Sequence, residues 1–554
     1  MRFSLKLVIF VLSSSYAWAG RSAPKVTIGN TTLIGRRKSS DVEFFGGVPF
    51  AEPPVGNLRL RPPVLKSFTS QRHEQGHPSI FNATQFGPAC IQTGIPTDEI
   101  SEDCLSVNVF RPAIPKSNGS ALLPVMLWFY GGGFIIGSSS FYDGTPLVTR
   151  SISRNTPTIF VSANYRMGPL GYPRGDDAAQ EAEEGSGILN LGLKDNLAAM
   201  QWVKDNIAYF GGDPNKVTVF GESAGALSLE LLILDDEIRG LARGVIMEST
   251  GGVPFINASN PTANDVWNNF VMATPSCADT SSNTTVDCIR TLSTSEIIEA
   301  YYTAGLFFNV SGVNWLPVLD GELVPAFPST LEPQPGVVEA ILIGSNLDEG
   351  TLSTPQTINS SQPIKDLILS SPPSPPDASE AERAAQLNKL EHIAEKILHL
   401  YPNNPSLGSP FGTGNETFGL DPEYKRYAAV STDFLFQAQR RFLVQKQLLP
   451  ANIPTYVYLF ADPDAEPIQD FVIGTPAPGS LGVTHSSEVF YVFGNLAKVT
   501  PTALALSRIM MDYWISFANA LNPNDDSGHN RPLWPEYTTR HKASNMYTAM
   551  HCES

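Results

Sequence analysis

Long apolar runs, charged side chains and internal repeats are scarce or absent in this 554-residue sequence. Beyond the first residues, no segment is long and apolar enough to cross a bilayer as a helix, which needs about 20 apolar residues. Charged residues make up only 16% of the chain and hydrophobic residues 42%, a balance that excludes intrinsic disorder. The chain therefore has enough apolar material for a sizeable buried core.

Basic residues are also fewer than acidic ones. The sequence has 37 Lys and Arg against 54 Asp and Glu, and its formal net charge is −17. A surface of this sign repels phosphate backbones, so we exclude nucleic acid as a partner. The acidity itself indicates solubility rather than a particular ligand.

The N-terminus has the parts of a secretory signal peptide. Two basic residues accompany an apolar run at residues 7–12 (LVIFVL) that is too short to span a bilayer. A small-x-small cleavage site follows at residues 17–19 (AWA). We predict that residues 1–19 are a signal peptide, and that residues 20–554 form one domain of a secreted protein.

The five cysteines and the glycosylation sequons fit export from the cell. Cys90 and Cys104 enclose 13 residues, a loop short enough for a local disulfide. Cys277 and Cys288 enclose 10 residues, and the same argument applies. Cys552 is left over; we expect a free thiol there, with an intermolecular disulfide as the alternative. Eight N-x-[ST] sequons mark potential surface positions, at Asn30, Asn82, Asn118, Asn257, Asn283, Asn309, Asn359 and Asn415.

Strand-like and helix-like segments alternate through the central half of the chain. Residues 123–130 (LPVMLWFY) form a continuous apolar run, as expected of a strand buried on both faces. Residues 190–210 carry apolar side chains at helical spacing. Further candidates are strands at residues 158–164, 216–220, 245–247 and 340–343 and a helix at residues 224–234. This alternation predicts an α/β fold with a mostly parallel central sheet flanked by helices.

A proline-rich stretch at residues 370–376 (SSPPSPP) precedes a helix-like segment at residues 379–400. Such composition predicts a stiff surface connection. Because the chemical motifs lie on both sides of it, we interpret residues 355–400 as an insertion within one domain.

The strongest local signal is the sequence GESAG at residues 221–225, which follows a strand candidate and precedes a helix candidate. This is the setting of a nucleophile elbow, a sharp turn that exposes the serine hydroxyl at the sheet edge and needs small flanking residues. The N-terminus of the following helix favours developing negative charge. We therefore predict Ser223 as a nucleophile.

Three consecutive glycines at residues 131–133 directly follow another strand candidate. Glycine amides can approach a substrate oxygen without interference from a Cβ atom, as an oxyanion hole requires. A paired N–H is expected from Ala224, the residue after the nucleophile.

A serine nucleophile needs a base, and the base needs a carboxylate that orients it. The expected order of serine, acid and histidine favours His485, which lies in a loop before an apolar stretch. The other histidines precede the serine, or lie in the charged insertion or the polar C-terminal tail. The acid should follow the strand candidate at residues 340–343, where Asp348 and Glu349 both fit. Spacing alone does not choose between these two.

Together these residues resemble the type-B carboxylesterase/lipase family, which includes cholinesterases and extracellular fungal lipases. The resemblance covers about residues 46–537. Its further markers are the sequences at residues 45–54, 102–105, 164–166, 190–227, 348–350 and 534–535. It implies an α/β-hydrolase fold with long loop insertions.

The family's functional residues carry over position by position. The resemblance implies a triad of Ser223, Glu349 and His485. It implies oxyanion donors at Gly132, Gly133 and Ala224. It further implies a buried glutamate beside the site at Glu222, and the disulfides Cys90–Cys104 and Cys277–Cys288.

The segment between the first two cysteines departs from the family pattern. In the family's lipases and cholinesterases this loop is longer, and in the lipases it forms the mobile lid. Here residues 91–103 number only 13 and contain no tryptophan. We therefore expect neither a large hinged lid nor a quaternary-ammonium site built on that tryptophan. We predict a secreted serine carboxylic ester hydrolase that acts through an acyl-enzyme on soluble or modest-sized esters.

Two alternatives stay open. A triacylglycerol or sterol-ester lipase is the main one, and a non-catalytic, cholinesterase-like binding module is a minor one that the intact triad disfavours. Acyl transfer of this kind needs no metal or organic cofactor, and the oligomeric state is left open.

Residues 73–77 (HEQGH) match the zinc motif H-E-x-x-H, but that motif works only on a helix. Because Gly76 lies inside it and Pro78 follows, we predict no zinc site.

Overall fold

A nine-stranded sheet forms the centre of the molecule. The computed structural model of the chain describes residues 22–68, 79–113, 121–252, 255–281, 284–304, 315–370, 379–468 and 475–538. The strands are β1 (Lys25–Ile28), β2 (Thr31–Ile34), β3 (Arg36–Arg37), β4 (Val42–Pro49), β5 (Ser79–Asn82), β6 (Ala89–Cys90), β7 (Ile100–Ser101), β8 (Ser106–Pro112), β9 (Leu123–Phe129), β10 (Ile159–Ala163), β11 (Gly212–Glu222), β12 (Gly244–Glu248), β13 (Ala340–Asn346) and β14 (Thr455–Phe460).

Six neighbouring strands of the central sheet are parallel, in the order β14-β13-β12-β11-β9-β10. Strands β8, β4 and β3 extend the β10 edge in antiparallel pairs. After its first residue, every position of β9 is buried, as its continuous apolar sequence predicts for a strand covered on both faces. The mostly parallel sheet predicted from the sequence is confirmed.

The helices surround this sheet. They are α1 (Thr145–Ser153), α2 (Gly168–Gly171), α3 (Asp176–Glu183), α4 (Leu191–Asn206), α5 (Ala224–Leu234), α6 (Pro261–Met272), α7 (Thr285–Thr291), α8 (Thr294–Thr303), α9 (Gln362–Leu369), α10 (Glu380–Leu400), α11 (Pro422–Ser431), α12 (Ala438–Phe442), α13 (Val489–Val492) and α14 (Pro501–Ala520). Two π-helical turns, Thr432–Gln437 and Leu443–Leu448, lie on either side of α12. Helices α4 and α5 pack against β11, and α14 packs against both β9 and β11. Within the described ranges, no helix is long and apolar enough to cross a membrane.

Most predicted elements are present, with shifted ends. The helix predicted at residues 190–210 is α4 followed by a 3-10 turn, Ile207–Phe210. The strand predicted at residues 216–220 is longer, because its first residues pair irregularly with β9 before the regular register starts at Val217. The helix predicted at residues 379–400 is α10. It packs with α9 and Val430 in a small apolar cluster separate from the main core.

Two disulfides are formed, Cys90–Cys104 and Cys277–Cys288, with the pairing that the family resemblance implies. The sequons at Asn82, Asn359 and Asn415 are exposed, and those at Asn30 and Asn257 are half-buried. Several predicted features lie outside the described residues: the signal peptide at residues 1–19, the HEQGH sequence at residues 73–77, Asn118, Asn283, Asn309 and Cys552.

Candidate active site

Ser223 lies at the turn between β11 and α5, in a backbone conformation that few side chains adopt. Its φ is 53° and its ψ is −120°, a strained combination that costs of order 1–3 kcal/mol. Glycines make the turn possible. A Cβ atom on Gly221 would lie 2.8 Å from the Phe129 carbonyl oxygen, and one on Gly225 would lie 2.1 Å from it. The predicted strand, turn and helix thus hold the serine at the carboxyl end of β11.

His485 connects Ser223 to a carboxylate. Its Nε2 lies 2.8 Å from the hydroxyl oxygen of Ser223, although 262 positions separate the two residues. Its Nδ1 lies 2.6 Å from Glu349 Oε2. The three side chains therefore form a continuous hydrogen-bonded series. In this series the imidazole can take a proton from the hydroxyl while the carboxylate holds the ring.

The two candidate acids, Asp348 and Glu349, point in different directions. Glu349 is buried and turns towards His485, and its Oε1 accepts the Asn346 N–H at 2.6 Å. Asp348 accepts hydrogen bonds from the Ser409 hydroxyl at 2.7 Å and from the Val483 N–H at 2.9 Å. Asp348 thus holds the loop that carries His485, whereas Glu349 contacts the imidazole itself.

Glu222, the residue before the serine, is fully buried against the same histidine. Its Oε1 accepts a hydrogen bond from the Ser486 hydroxyl at 2.5 Å and lies 3.2 Å from His485 Nε2. Burial raises the pKa of Glu222 to about 7. Burial favours the neutral form of His485, but the carboxylates of Glu222 and Glu349 outweigh it and raise the pKa of His485 to about 9. The site therefore stabilises a protonated imidazole.

Two further buried glutamates lie behind the histidine, and the sequence analysis assigned neither a role. Glu488 accepts hydrogen bonds from Ser249 Oγ at 3.0 Å and from Asn346 Nδ2 at 2.6 Å, and burial raises its pKa to about 8. Glu248 accepts from the Trp514 indole N–H at 2.7 Å, and burial raises its pKa well above the usual range. Glu248 ends a fully buried strand, and a charged residue in such a strand is the signal that could have drawn attention to it.

The glycines after β9 pass close to the serine. A Cβ atom on Gly131 would lie 2.8 Å from Ser223 Cβ and 2.3 Å from Glu222 Oε2. Gly132 and Gly133 follow with φ of 103° and 62°. They begin a tight turn, in which the N–H groups of Ile135 and Ile136 both donate to the Gly132 oxygen at 3.1 Å. Among the described residues, neither the Gly132 N–H nor the Gly133 N–H is used in a hydrogen bond.

The aromatic ring of Phe436 packs beside the imidazole of His485. Its ring centroid lies 5.0 Å from that of His485, and its side chain is half-buried. It belongs to the π-helical turn Thr432–Gln437, and the Leu435 oxygen of this turn accepts the Gly252 N–H at 2.7 Å. Short π-helical segments occur frequently at functional sites. Phe436 was not predicted from the sequence, because a π turn leaves no distinct pattern in a single sequence.

Comparison with known proteins identifies the family of this chain. The sequence model of the Carboxylesterase family matches residues 22–552. Lipase 2 of Geotrichum candidum is 32% identical, over 94% of this chain and 91% of its own length. Secreted lipase 1 of Botryotinia fuckeliana is 31% identical, over 99% of this chain and 96% of its own length. The solved structure of a PNB esterase has a TM-score of 0.69 and 27% identity, over 93% of this chain and 94% of its own. The fold is therefore that of the α/β-hydrolases, and the chain belongs to the carboxylesterase family as a carboxylic ester hydrolase.

Proposed function

We propose that this enzyme hydrolyses carboxylic esters through an acyl-enzyme formed on Ser223. The observation that carries the proposal is the 2.8 Å distance between His485 Nε2 and the Ser223 hydroxyl, together with the 2.6 Å distance between His485 Nδ1 and Glu349. His485 takes the hydroxyl proton as Ser223 attacks the ester carbonyl, and then gives it to the departing alcohol. In the second step His485 activates water, which releases the acid.

The negative oxygen of the tetrahedral intermediate would be held by the N–H groups of Gly132, Gly133 and Ala224. Gly132 and Gly133 directly follow Gly131, which lies beside the serine, and Ala224 is the first residue of α5, where N–H groups have no partner within the helix. Each such donor contributes about 3–4 kcal/mol to transition-state stabilisation. The Glu222 carboxylate acts on the other charge, because it stabilises the imidazolium that forms on His485.

We propose soluble or modest-sized esters as substrates. The segment between Cys90 and Cys104 holds only 13 residues, too few for a large hinged lid. Its ends are also fixed, by the disulfide and by the parallel pairing of β6 with β7. A site without a large lid is open to dissolved substrate and gains little from an oil surface.

A lipase is the second candidate, and the relatives favour it. Two fungal proteins that each match more than nine-tenths of the chain are called lipases. Comparing rates on dissolved short-chain esters with rates on emulsified long-chain esters separates the two. A rate that rises sharply above the solubility limit of the substrate would favour the lipase.

We also propose that the protein is secreted, after removal of residues 1–19 as a signal peptide, and that the rest acts as one domain. The name of one relative, a secreted lipase, supports export, as do two disulfides and the exposed sequons. Mass spectrometry of protein from the culture medium should give an N-terminus at Gly20. An intact Met1 in that material would contradict the cleavage.

The central test is Ser223→Ala assayed on nitrophenyl acetate. We expect kcat to fall by roughly four to six orders of magnitude, with an unchanged melting temperature. Ser228→Ala is the matched control, because Ser228 lies one turn further along α5 and its hydroxyl donates to the Ala224 oxygen at 2.9 Å. Wild-type turnover by Ser223→Ala would end the proposal.

Covalent labelling of the wild type by an organophosphate separates an enzyme from a non-catalytic binding module.

A further inference from the structure

Two buried amide side chains join the first disulfide segment to the turn that follows β9. They belong to Gln92 and Asn164, each only 1% exposed. Each amide hydrogen-bonds the backbone of a disulfide cysteine on one side and the backbone of residues 137–139 on the other. Neither residue was predicted from the sequence to have a role.

Gln92 makes three hydrogen bonds. Its Nε2 donates to the Gly137 oxygen at 2.7 Å and to the Cys90 oxygen at 3.0 Å. Its Oε1 accepts the Gly137 N–H at 2.7 Å. The side chain therefore pairs with both backbone groups of Gly137, as a neighbouring strand would. Such a two-bond pairing fixes the position and the orientation of that peptide segment.

Asn164, the residue after β10, makes the matching connection. Its Nδ2 donates to the Cys104 oxygen at 3.1 Å and to the Pro88 oxygen at 2.9 Å. Its Oδ1 accepts the Ser139 N–H at 2.9 Å. The two amides thus bond the carbonyls of both cysteines of one disulfide, and they hold the backbone at Gly137 and at Ser139.

Gly137 is the closing residue of the turn that carries Gly132 and Gly133. A Cβ atom on Gly137 would lie 2.8 Å from the Gly131 oxygen, so the two ends of the turn touch. Within the turn, a Cβ atom on Gly132 would lie 2.1 Å from the Ile136 oxygen. Because packing is this tight, a displacement of Gly137 moves the amides of Gly132 and Gly133.

We propose that the Cys90–Cys104 segment is a fixed clamp, not a lid, and that Gln92 is the positioning residue through which it aligns the oxyanion donors. The proposal rests on the proposed roles of Ser223 and the glycine amides. It adds that the short disulfide loop contributes to turnover through Gln92, without contacting substrate. A shift of the donors by a fraction of an ångström weakens the transition state more than it weakens substrate binding.

Gln92→Met tests this proposal, because methionine fills a similar volume and makes none of the three hydrogen bonds. We expect kcat on nitrophenyl acetate to fall about 10- to 100-fold, with KM changed less than about threefold. A trifluoromethyl ketone gives the specific readout. Ser223 adds to its carbonyl carbon, the proton passes to His485, and the ketone oxygen becomes an oxyanion among the same donors. Its inhibition constant should rise by the factor by which kcat falls.

Gln447→Met is the matched control. Gln447 is also buried, and its Nε2 donates to the backbone oxygens of Pro328 at 2.7 Å and Leu331 at 2.6 Å. We expect a similar loss of melting temperature, but unchanged kcat and inhibitor affinity. If Gln92→Met does not fold, Gln92→Glu decides, since it keeps an acceptor for the Gly137 N–H and loses both donated bonds.

The outcomes separate the clamp from the proposed function. A folded Gln92 variant with wild-type kcat and inhibitor affinity overturns the clamp, while Ser223 remains the nucleophile if Ser223→Ala is inactive. Equal losses in Gln92→Met and Gln447→Met, without a change in inhibitor affinity, also overturn it. Full activity of Ser223→Ala would remove the proposed function and the clamp together.

Discussion

Carboxyl groups surround the histidine on one side of Ser223, whereas neutral amide groups lie on the other side. On the histidine side, His485 is surrounded by the carboxyl groups of Glu222, Glu349 and Glu488. On the glycine side, the neutral amides of Gln92 and Asn164 hydrogen-bond the backbone at Gly137 and Ser139, which follow the glycine run. Glu222 lies at the boundary, with one oxygen near His485 and the other beside Gly131.

The difference matches the charges that develop during acyl transfer. A positive imidazolium forms on one side, where carboxylates stabilise it, and a negative oxygen forms on the other, where N–H donors are required. A carboxylate among the glycine amides would oppose the oxyanion. The following predictions test whether the two sides are as distinct as their composition indicates.

The largest effect should come from the histidine side, with Glu349→Gln. We expect kcat to fall about ten-thousand-fold, because the amide no longer stabilises the imidazolium or selects its tautomer. Asp348→Asn is the matched control on the neighbouring residue. It should cost about 1–3 kcal/mol of stability through its hydrogen bonds to Ser409 and Val483, yet retain most of the turnover. A larger loss of kcat in Asp348→Asn than in Glu349→Gln would identify Asp348 as the acid instead.

On the glycine side, Gly132→Ala should lower kcat about 100- to 1,000-fold, as expected for a lost oxyanion donor. The added methyl group would lie 2.1 Å from the Ile136 oxygen and forces the turn to move. Gly240→Ala is the control, since Gly240 also has a positive φ of 75° but nothing within 4 Å of a new Cβ atom. Steady-state kinetics and thermal melting of both variants make the comparison. Equal kcat values for the two would separate the glycine turn from catalysis.

The smallest effect is a shift in pH dependence with Glu222→Gln. In the proposed mechanism neutral His485 is the active form, so kcat/KM should rise with pH through the pKa of this residue. Glu222→Gln removes a carboxylate that stabilises the imidazolium, so the pKa of His485 should fall. The acidic limb of the kcat/KM profile, where activity falls as the pH is lowered, should therefore move to lower pH by roughly one unit. Glu230→Gln should leave the limb in place, because the Glu230 carboxylate bonds Thr250 instead. A shift towards higher pH would contradict the assigned direction.

The sequence predicted the elbow well but left the acid open. Residues 221–225 specify the turn by themselves, because glycines are needed where neighbouring backbone comes within 3 Å. Asp348 and Glu349 are adjacent and chemically alike, so only family resemblance favoured one of them. Their side chains diverge because Asp348 is held through both its N–H and its carboxylate to Val483. Adjacent residues then face different partners.

By itself, the sequence determined the alternation that builds a parallel sheet, the strained serine turn at residue 223 and the glycine run at residues 131–133. These are local features, in which spacing and residue size decide the backbone. Only the tertiary structure decided which carboxylate meets His485, and that Gln92 reaches Gly137 across 45 positions of the chain. Such contacts depend on how distant segments pack, and no short stretch of sequence contains that information.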